Sequence, residues 1–230
     1  MSPRRFTAFA RVLAPAFVLA SAAAAAGTAH ATVLTFESVS QLGPSTNPDY
    51  GDRVTTFGTG LGAEGGATPN IVLDFVPTGS TSPFSVYPSG YSGLVSALGH
   101  GSFNVPGYVQ FTPDAGWDVV LTSFDLGAWS ASSYPNSRIQ VVDTGGTVHF
   151  DSGVFTFPAI TVLSYLPTPI RSSLPLRLVI EDFGDLGLDN VQFSQIPTIP
   201  EPGTWAMWLA GAAVLGALAR RRGGAQGPSR

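Results

Sequence analysis

The chain contains neither cysteine nor lysine, and only 11% of its 230 residues are charged. Without Cys there is no disulfide framework, no thiolate zinc site, no iron–sulfur ligation and no Cys nucleophile. Without Lys, all 11 basic residues are Arg, and seven of them crowd the two ends: Arg4, Arg5, Arg11, Arg220, Arg221, Arg222 and Arg230. Residues 32–196 keep only Arg53, Arg138, Arg171 and Arg177 against 14 of the 15 carboxylates, a balance of −10. Such a body lacks the basic footprint that displaces counterions, which excludes nucleic acid as a partner.

Histidine is nearly as scarce. Past residue 31 only His100 and His149 remain. His149 lies in a strand pattern whose default is an exposed hairpin position. His100, in Gly99-His100-Gly101, has no nucleophile elbow beside it. Gly60-Leu61-Gly62-Ala63-Glu64-Gly65 satisfies the dinucleotide pattern formally, but more Gly and then Pro69 follow where a helix is required. Fourteen carboxylates offer many pairs, so a pair alone does not argue for glycosidase chemistry, which needs one carboxyl protonated and one ionised at a defined separation. Asp49, Asp52, Asp114, Asp143 and Asp151 stand in turn contexts, where Asp serves backbone hydrogen bonding. The absences read as a protein that is not an enzyme and requires no cofactor.

What is present is concentrated at the ends. In residues 1–31, Arg4, Arg5 and Arg11 precede an apolar run from Val12 to Ala26. Ala29 and Ala31 then place small residues at the −3 and −1 positions of a cleavage site before Thr32. That is the pattern of a secretory signal peptide. At the other end, Pro200-Glu201-Pro202 closes a linker over 197–203. A 16-residue uncharged stretch runs from Thr204 to Ala219, and Arg220, Arg221 and Arg222 follow. As a helix the uncharged stretch would rise about 24 Å, slightly short of the ~30 Å hydrocarbon core. Trp205 and Trp208 at one end and the Arg cluster at the other suit a spanning segment over 204–222. The positive-inside rule keeps a 223–230 tail in the cytoplasm. Two prolines around Glu201 predict an extended, enzyme-accessible segment outside the membrane.

These three parts, in this order and spacing, resemble the PEP-CTERM sorting signal of Gram-negative bacteria. The resemblance covers residues 199–222. It implies that the sorting residues are Pro200, Glu201, Pro202 and the three Arg, and that an exosortase processes the tail near Pro-Glu-Pro. A precursor exported through the Sec translocon and held in the inner membrane would then be released to the cell surface or the exopolysaccharide matrix.

The body, residues 32–196, is long enough for one domain burying roughly 70% of its unfolded surface. Strand signals recur every 8–15 residues, separated by Gly, Pro, Asn and Ser. Ile71–Phe75, Tyr108–Thr112, Trp117–Phe124, Leu174–Glu181 and Leu188–Phe193 are examples. Arg138–Val142 and Thr147–Phe150 flank Asp143-Thr144-Gly145-Gly146, the clearest hairpin. Gly58–Pro69 reads as a long loop and Gln41–Asp52 as a tighter one. Eight to ten strands without intervening helices predict an all-β fold, an antiparallel two-sheet sandwich of jelly-roll type. Leu176, Leu178 and Ile180 are expected inward, Val119 and Leu121 on one face with Val120 and Phe124 on the other, and Trp117 in the core.

Leu34-Thr35-Phe36-Glu37, Tyr50–Thr55, Gly116–Val119 and Gly187–Phe193 resemble sandwich domains found ahead of PEP-CTERM tails. They are also similar to carbohydrate-binding jelly rolls. That resemblance implies Glu37 and Asp189 as ligands of a structural Ca²⁺, an ion whose preference for oxygen suits an acidic body. The alternative for both residues is capping of strand ends. Trp129, followed by a Ser-rich stretch and Tyr134, is the best-placed sugar platform in the sequence. The leading expectation is an exported, exosortase-sorted surface or matrix protein with a structural or adhesive body. A lectin-like carbohydrate-binding module and a polysaccharide-active enzyme are the alternatives.

Overall fold

The computed structural model describes residues 31–37, 49–55, 66–159, 162–166, 168–198 and 202–223. Ala31 is exposed just ahead of the first strand, while Ala29, Pro200 and Glu201 lie outside the described residues. So do most of the Gly58–Pro69 loop, the dinucleotide-like string and residues 41–48.

The described body opens with β1 (Thr32–Leu34), β2 (Ile71–Pro77), β3 (Ser85–Tyr87), β4 (Ala97–Gly99) and β5 (Gly107–Pro113). The 12-residue β6 (Trp117–Ala128) precedes β7 (Tyr134–Ser137), β8 (Ile139–Asp143), β9 (Val148–Asp151) and β10 (Phe155–Phe157). Then come β11 (Val162–Tyr165), β12 (Ile170–Ser172), β13 (Leu176–Ile180) and the 12-residue β14 (Leu186–Pro197). One helix, α1 (Pro202–Gly223), forms the tail. The strands make a seven-stranded sheet centred on β6 and β14, a five-stranded sheet in the order β2-β5-β13-β8-β9, and a small β7–β10 ribbon. Every pairing recorded between these strands is antiparallel. β1 lies on β14 with Leu34 opposite Val191, so the first and last strands are neighbours.

Alternation builds the core. In β13, Leu176, Leu178 and Ile180 are fully buried while Arg177 and Val179 are half-exposed, as their period-2 spacing requires. Val109 and Phe111 of β5 and Val141 of β8 join them in one cluster with Leu121, Leu188 and Phe193 of the other sheet. The Phe111 and Phe193 rings meet between the sheets at 5.1 Å. The hairpin β8–β9 forms as expected, with Gly146 at φ 90° in the turn, where a side chain would be strained.

Two expectations about β6 change. Phe124 is buried in the same core as Val119 and Leu121. The reason is a pair of irregularities: β14 carries Asn190 and Val191 between the partners of Asp125 and Ser123, and β6 carries Thr122 between the partners of Gln192 and Phe193. Each strand's inward phase therefore shifts by one residue, and Asn190 takes the left-handed φ of 48° that such a bulge demands. Trp117 is half-buried at the rim opposite Pro197. Its parity points inward, but it stands at the strand's end, where the facing sheet has run out.

The helix also departs from expectation. It begins at Pro202, whose fixed φ suits a first helical position, so the extended segment ends two residues sooner than expected. Met207, Trp208, Leu209, Val214 and Leu215 are all exposed. Even so, no helix among the described residues is long and apolar enough to cross a membrane. Gly211, Gly216 and several Ala dilute a stretch already short for the hydrocarbon core.

Replacing Phe193 by Ala removes the ring that joins the two sheets. The loss is expected to be about 3–5 kcal/mol, read as a lower urea midpoint at unchanged m-value. Val148→Ala on the exposed hairpin should stay within about 0.5 kcal/mol of the parent.

Candidate functional site

At one end of the sandwich, where β6 leaves its sheet and β14 enters it, side chains and loops enclose a cavity of about 170 Å³. Tyr87, Trp129 and the exposed Phe103 line it with His100, Gly101 and Gly184. Trp129 follows directly on β6. Its ring meets Tyr87 edge-on at 5.4 Å and Tyr91 at 5.0 Å. Ser130 and Ala131 then adopt left-handed φ values of 51° and 54°, turning the chain so that Tyr134 donates its hydroxyl hydrogen to the Trp129 carbonyl at 2.9 Å. Trp129 and Tyr134, singled out in the sequence, are thus joined. Trp129 lines the cleft and Tyr134 braces it from behind.

Tyr91 is the buried post behind the cleft. Its hydroxyl donates to the carbonyls of Phe183 and Gly184, and burial pushes its phenol well above the ordinary range. Gly187 sits against the Tyr91 ring, where a Cβ would collide with it. His100 is a buried latch, only 4% exposed, where sequence suggested an ordinary loop residue. Its Nδ1 accepts the Ser102 N–H at 3.0 Å, which leaves Nε2 to donate to Ser80 Oγ and the Ser82 carbonyl. Two loops are clamped by one ring.

The floor of the cleft is the turn Asp182–Asp185. Asp182 Oδ1 accepts three backbone N–H groups, from Asn104, Gly184 and Asp185. It therefore fixes the loop carrying Phe103 to the turn itself. Gly184 is required here because a Cβ would strike the Ser102 and Phe103 backbone. The Trp129 N–H donates to the Asp185 carbonyl at 2.8 Å. Burial, then the hydrogen bond and charge of Asp182, push the Asp185 carboxyl up to about 7. The Glu181–Asp185 cluster is a structural turn in which one carboxyl titrates well above the ordinary range.

The other predicted residues do not converge here. Glu37 is exposed in the turn after β1. Asp189 is buried in β14, its Oδ1 accepting the Asn190 N–H at 2.7 Å, opposite Asp125 of β6. Among the described residues no group of three or more His, Asp or Glu is arranged to hold a metal. Asp52, Asp143 and Asp151 do serve backbone N–H groups, of Leu73, Thr147 and Gly153. β14 carries the chain from Leu186 at the cleft end to Pro197 at the opposite end.

The family model of the PEP-CTERM protein-sorting motif matches residues 198–222. The tail therefore carries the motif that exosortase recognises, and the motif indicates an exported, exosortase-sorted extracellular protein. No curated protein matches the chain. Among solved structures, it is similar to the crystal structure of the bacteriophage CBA120 tailspike protein 4 enzymatically active domain, at 13% identity and a TM-score of 0.30. That match covers 66% of this chain and 21% of the tailspike chain, about a fifth of its length, and it carries no argument about activity.

The Asp185 proton has a measurable consequence. In the folded protein it is retained up to about pH 7, whereas an unfolded Asp loses its proton near 4. Between these values the native state binds more protons, so stability falls as pH rises through that window. The urea midpoint of the parent is expected to decline from about pH 4 to about pH 7, and that of Asp185→Asn to decline less, because an amide has no proton to lose.

Proposed function

We propose that the protein is an exosortase substrate whose body acts at the cell surface or in the exopolysaccharide matrix of a Gram-negative bacterium. The signal peptide of residues 1–31 delivers it through the Sec translocon. The precursor is held in the inner membrane by the apolar α1 with its Arg cluster inside, and exosortase acts near Pro200-Glu201-Pro202. The observation that carries this reading is the sorting motif at 198–222 laid over a helix that exposes Met207, Trp208, Leu209, Val214 and Leu215. Although α1 falls short of a full crossing, the sorting motif it carries supports a precursor held at the membrane before processing.

The body, a jelly-roll-like sandwich, is read as structural or adhesive and not as an enzyme. Support comes from the Asp182–Asp185 pair. Asp182 is committed to three backbone N–H groups, so the one carboxyl pair in the cleft acts as masonry. The cleft favours a second reading, glycan binding, because three aromatic rings around a small opening offer π-faces to the C–H face of a sugar.

Intact mass spectrometry of protein recovered from the host's surface should give a mass spanning Thr32 to about Pro200 plus any attached group. Replacing Pro200, Glu201 and Pro202 by Ala should leave the long form in the membrane fraction. Untrimmed protein in the soluble cytosol would overturn the sorting proposal. A glycan array run with and without EDTA tests the second reading: Trp129→Ala should abolish the signal from neutral glycans. Shortening of the host polysaccharide by the purified protein would instead establish an enzyme.

A further inference from the structure

A second cavity, of about 390 Å³, opens at the free edge of the sandwich. Edge strand β9 supplies His149 and Phe150 from one sheet, while Leu166 of the β11–β12 connection and Ile170 and Arg171 of β12 come from the other. Leu166 is held there at a φ of 74°, a conformation a branched side chain rarely adopts, and it is still almost fully buried.

Arg171 differs from the other three Arg of the body. Arg53 and Arg138 each commit two guanidinium nitrogens to a carboxylate, and Arg177 lies over the Tyr108 ring. Arg171 is tethered through Nε alone, to Oδ2 of the buried Asp118, and its Nη groups make no other bond among the described residues. The buried Asp118 Oδ1 has no hydrogen-bond partner among the described residues. Asp118 thus aligns the guanidinium and leaves its outer donors for something else. Across the groove His149 is fixed in the same manner. Its Nε2 is 3.0 Å from Asp143 Oδ2, and the opposite Asp143 oxygen accepts the Thr147 N–H. These bonds, the Thr147 N–H first, hold the Asp143 carboxyl below its usual range. The imidazole keeps Nδ1 for a ligand hydroxyl.

We propose that this groove binds a carboxylated sugar ring, a hexuronate. The Arg171 fork takes the carboxylate in the paired geometry that guanidinium favours. His149 takes a ring hydroxyl, and Phe150, Leu166 and Ile170 face the C–H side of the ring. The balance of −10 over the body repels long polyanions, so the occupant is a single or chain-terminal uronate. The inference does not rest on the aromatic cleft at the other end of the molecule.

Calorimetric titration of the full chain with galacturonate, galactose and acetate tests it. Galacturonate should bind about tenfold or more tighter than either control, the worth of one charge-assisted pair. Arg171→Gln should lose about tenfold, Arg171→Lys should recover only part, and Arg53→Gln, at a guanidinium already paired with Asp114, should leave the titration unchanged. Because Arg171→Gln strips the buried Asp118 of its partner, Asp118→Asn/Arg171→Gln is the matched variant. Its thermal unfolding reports folding, and its galacturonate affinity should fall as far as in the single variant. Acetate binding as tightly as galacturonate reduces the groove to an anion site. Galactose binding as tightly removes the role of the carboxylate. Either result, or no heat with galacturonate, overturns the proposal, and none of them bears on the sorting tail.

Discussion

The pairing of β6 with β14 is the constraint on which the rest of the molecule depends. These are the longest strands in the described structure, and they are laced from Trp117–Pro197 at one end to Ala128–Leu186 at the other. Every other strand of the seven-stranded sheet hangs from one of them or from a neighbour. Their inward side chains, among them Leu121, Phe124, Leu188 and Phe193, form one wall of the core against the five-stranded sheet. The two irregularities in the ladder are consistent with this role. They offset one another, so the strands stay paired over their full length while the apolar residues of both halves still face inward.

Much of this was legible in the sequence, and what was not has identifiable causes. Strands of five residues or more with clean alternation, such as β2, β5, β8 and β13, fall where the pattern puts them, because burial of one face is written into every second residue. Three-residue strands such as β3, β4 and β12 are too short to carry a period, and they exist only because a longer neighbour offers free backbone groups. Phe124 was misplaced because strict alternation cannot see a bulge. Tyr50 gave no sign of burial: it sits beyond a proline-punctuated stretch, yet it is fully buried, stacked on Phe36 at 5.1 Å, and its hydroxyl oxygen accepts the Phe36 N–H.

The cleft was half legible. Trp129 and Tyr134 stand out because large aromatics in a Ser-rich stretch have few structural reasons to be there. Tyr87, Phe103 and the Asp182–Asp185 turn come from segments far apart in the chain, and only the sheet topology gathers them. His100 shows the limit most clearly. Flanked by glycines it looks like loose loop, whereas three-dimensional closure makes it a buried clamp between residues 80–82 and 102. The groove beside Arg171 is hidden for a similar reason, since its two walls belong to different sheets. The sorting motif is the opposite case: its meaning lies in linear order, and so the motif is readable without a fold.

The position of the tail relative to the cleft has a mechanical consequence. A pull entering at Pro197 and resisted at Trp129 acts on antiparallel partners at opposite ends, across a length of roughly 40 Å for twelve residues. The ladder between them is then loaded in shear, with its hydrogen bonds strained together, and cannot be unzipped one rung at a time. A tethered molecule gripping something at its far tip would resist tearing with its strongest seam.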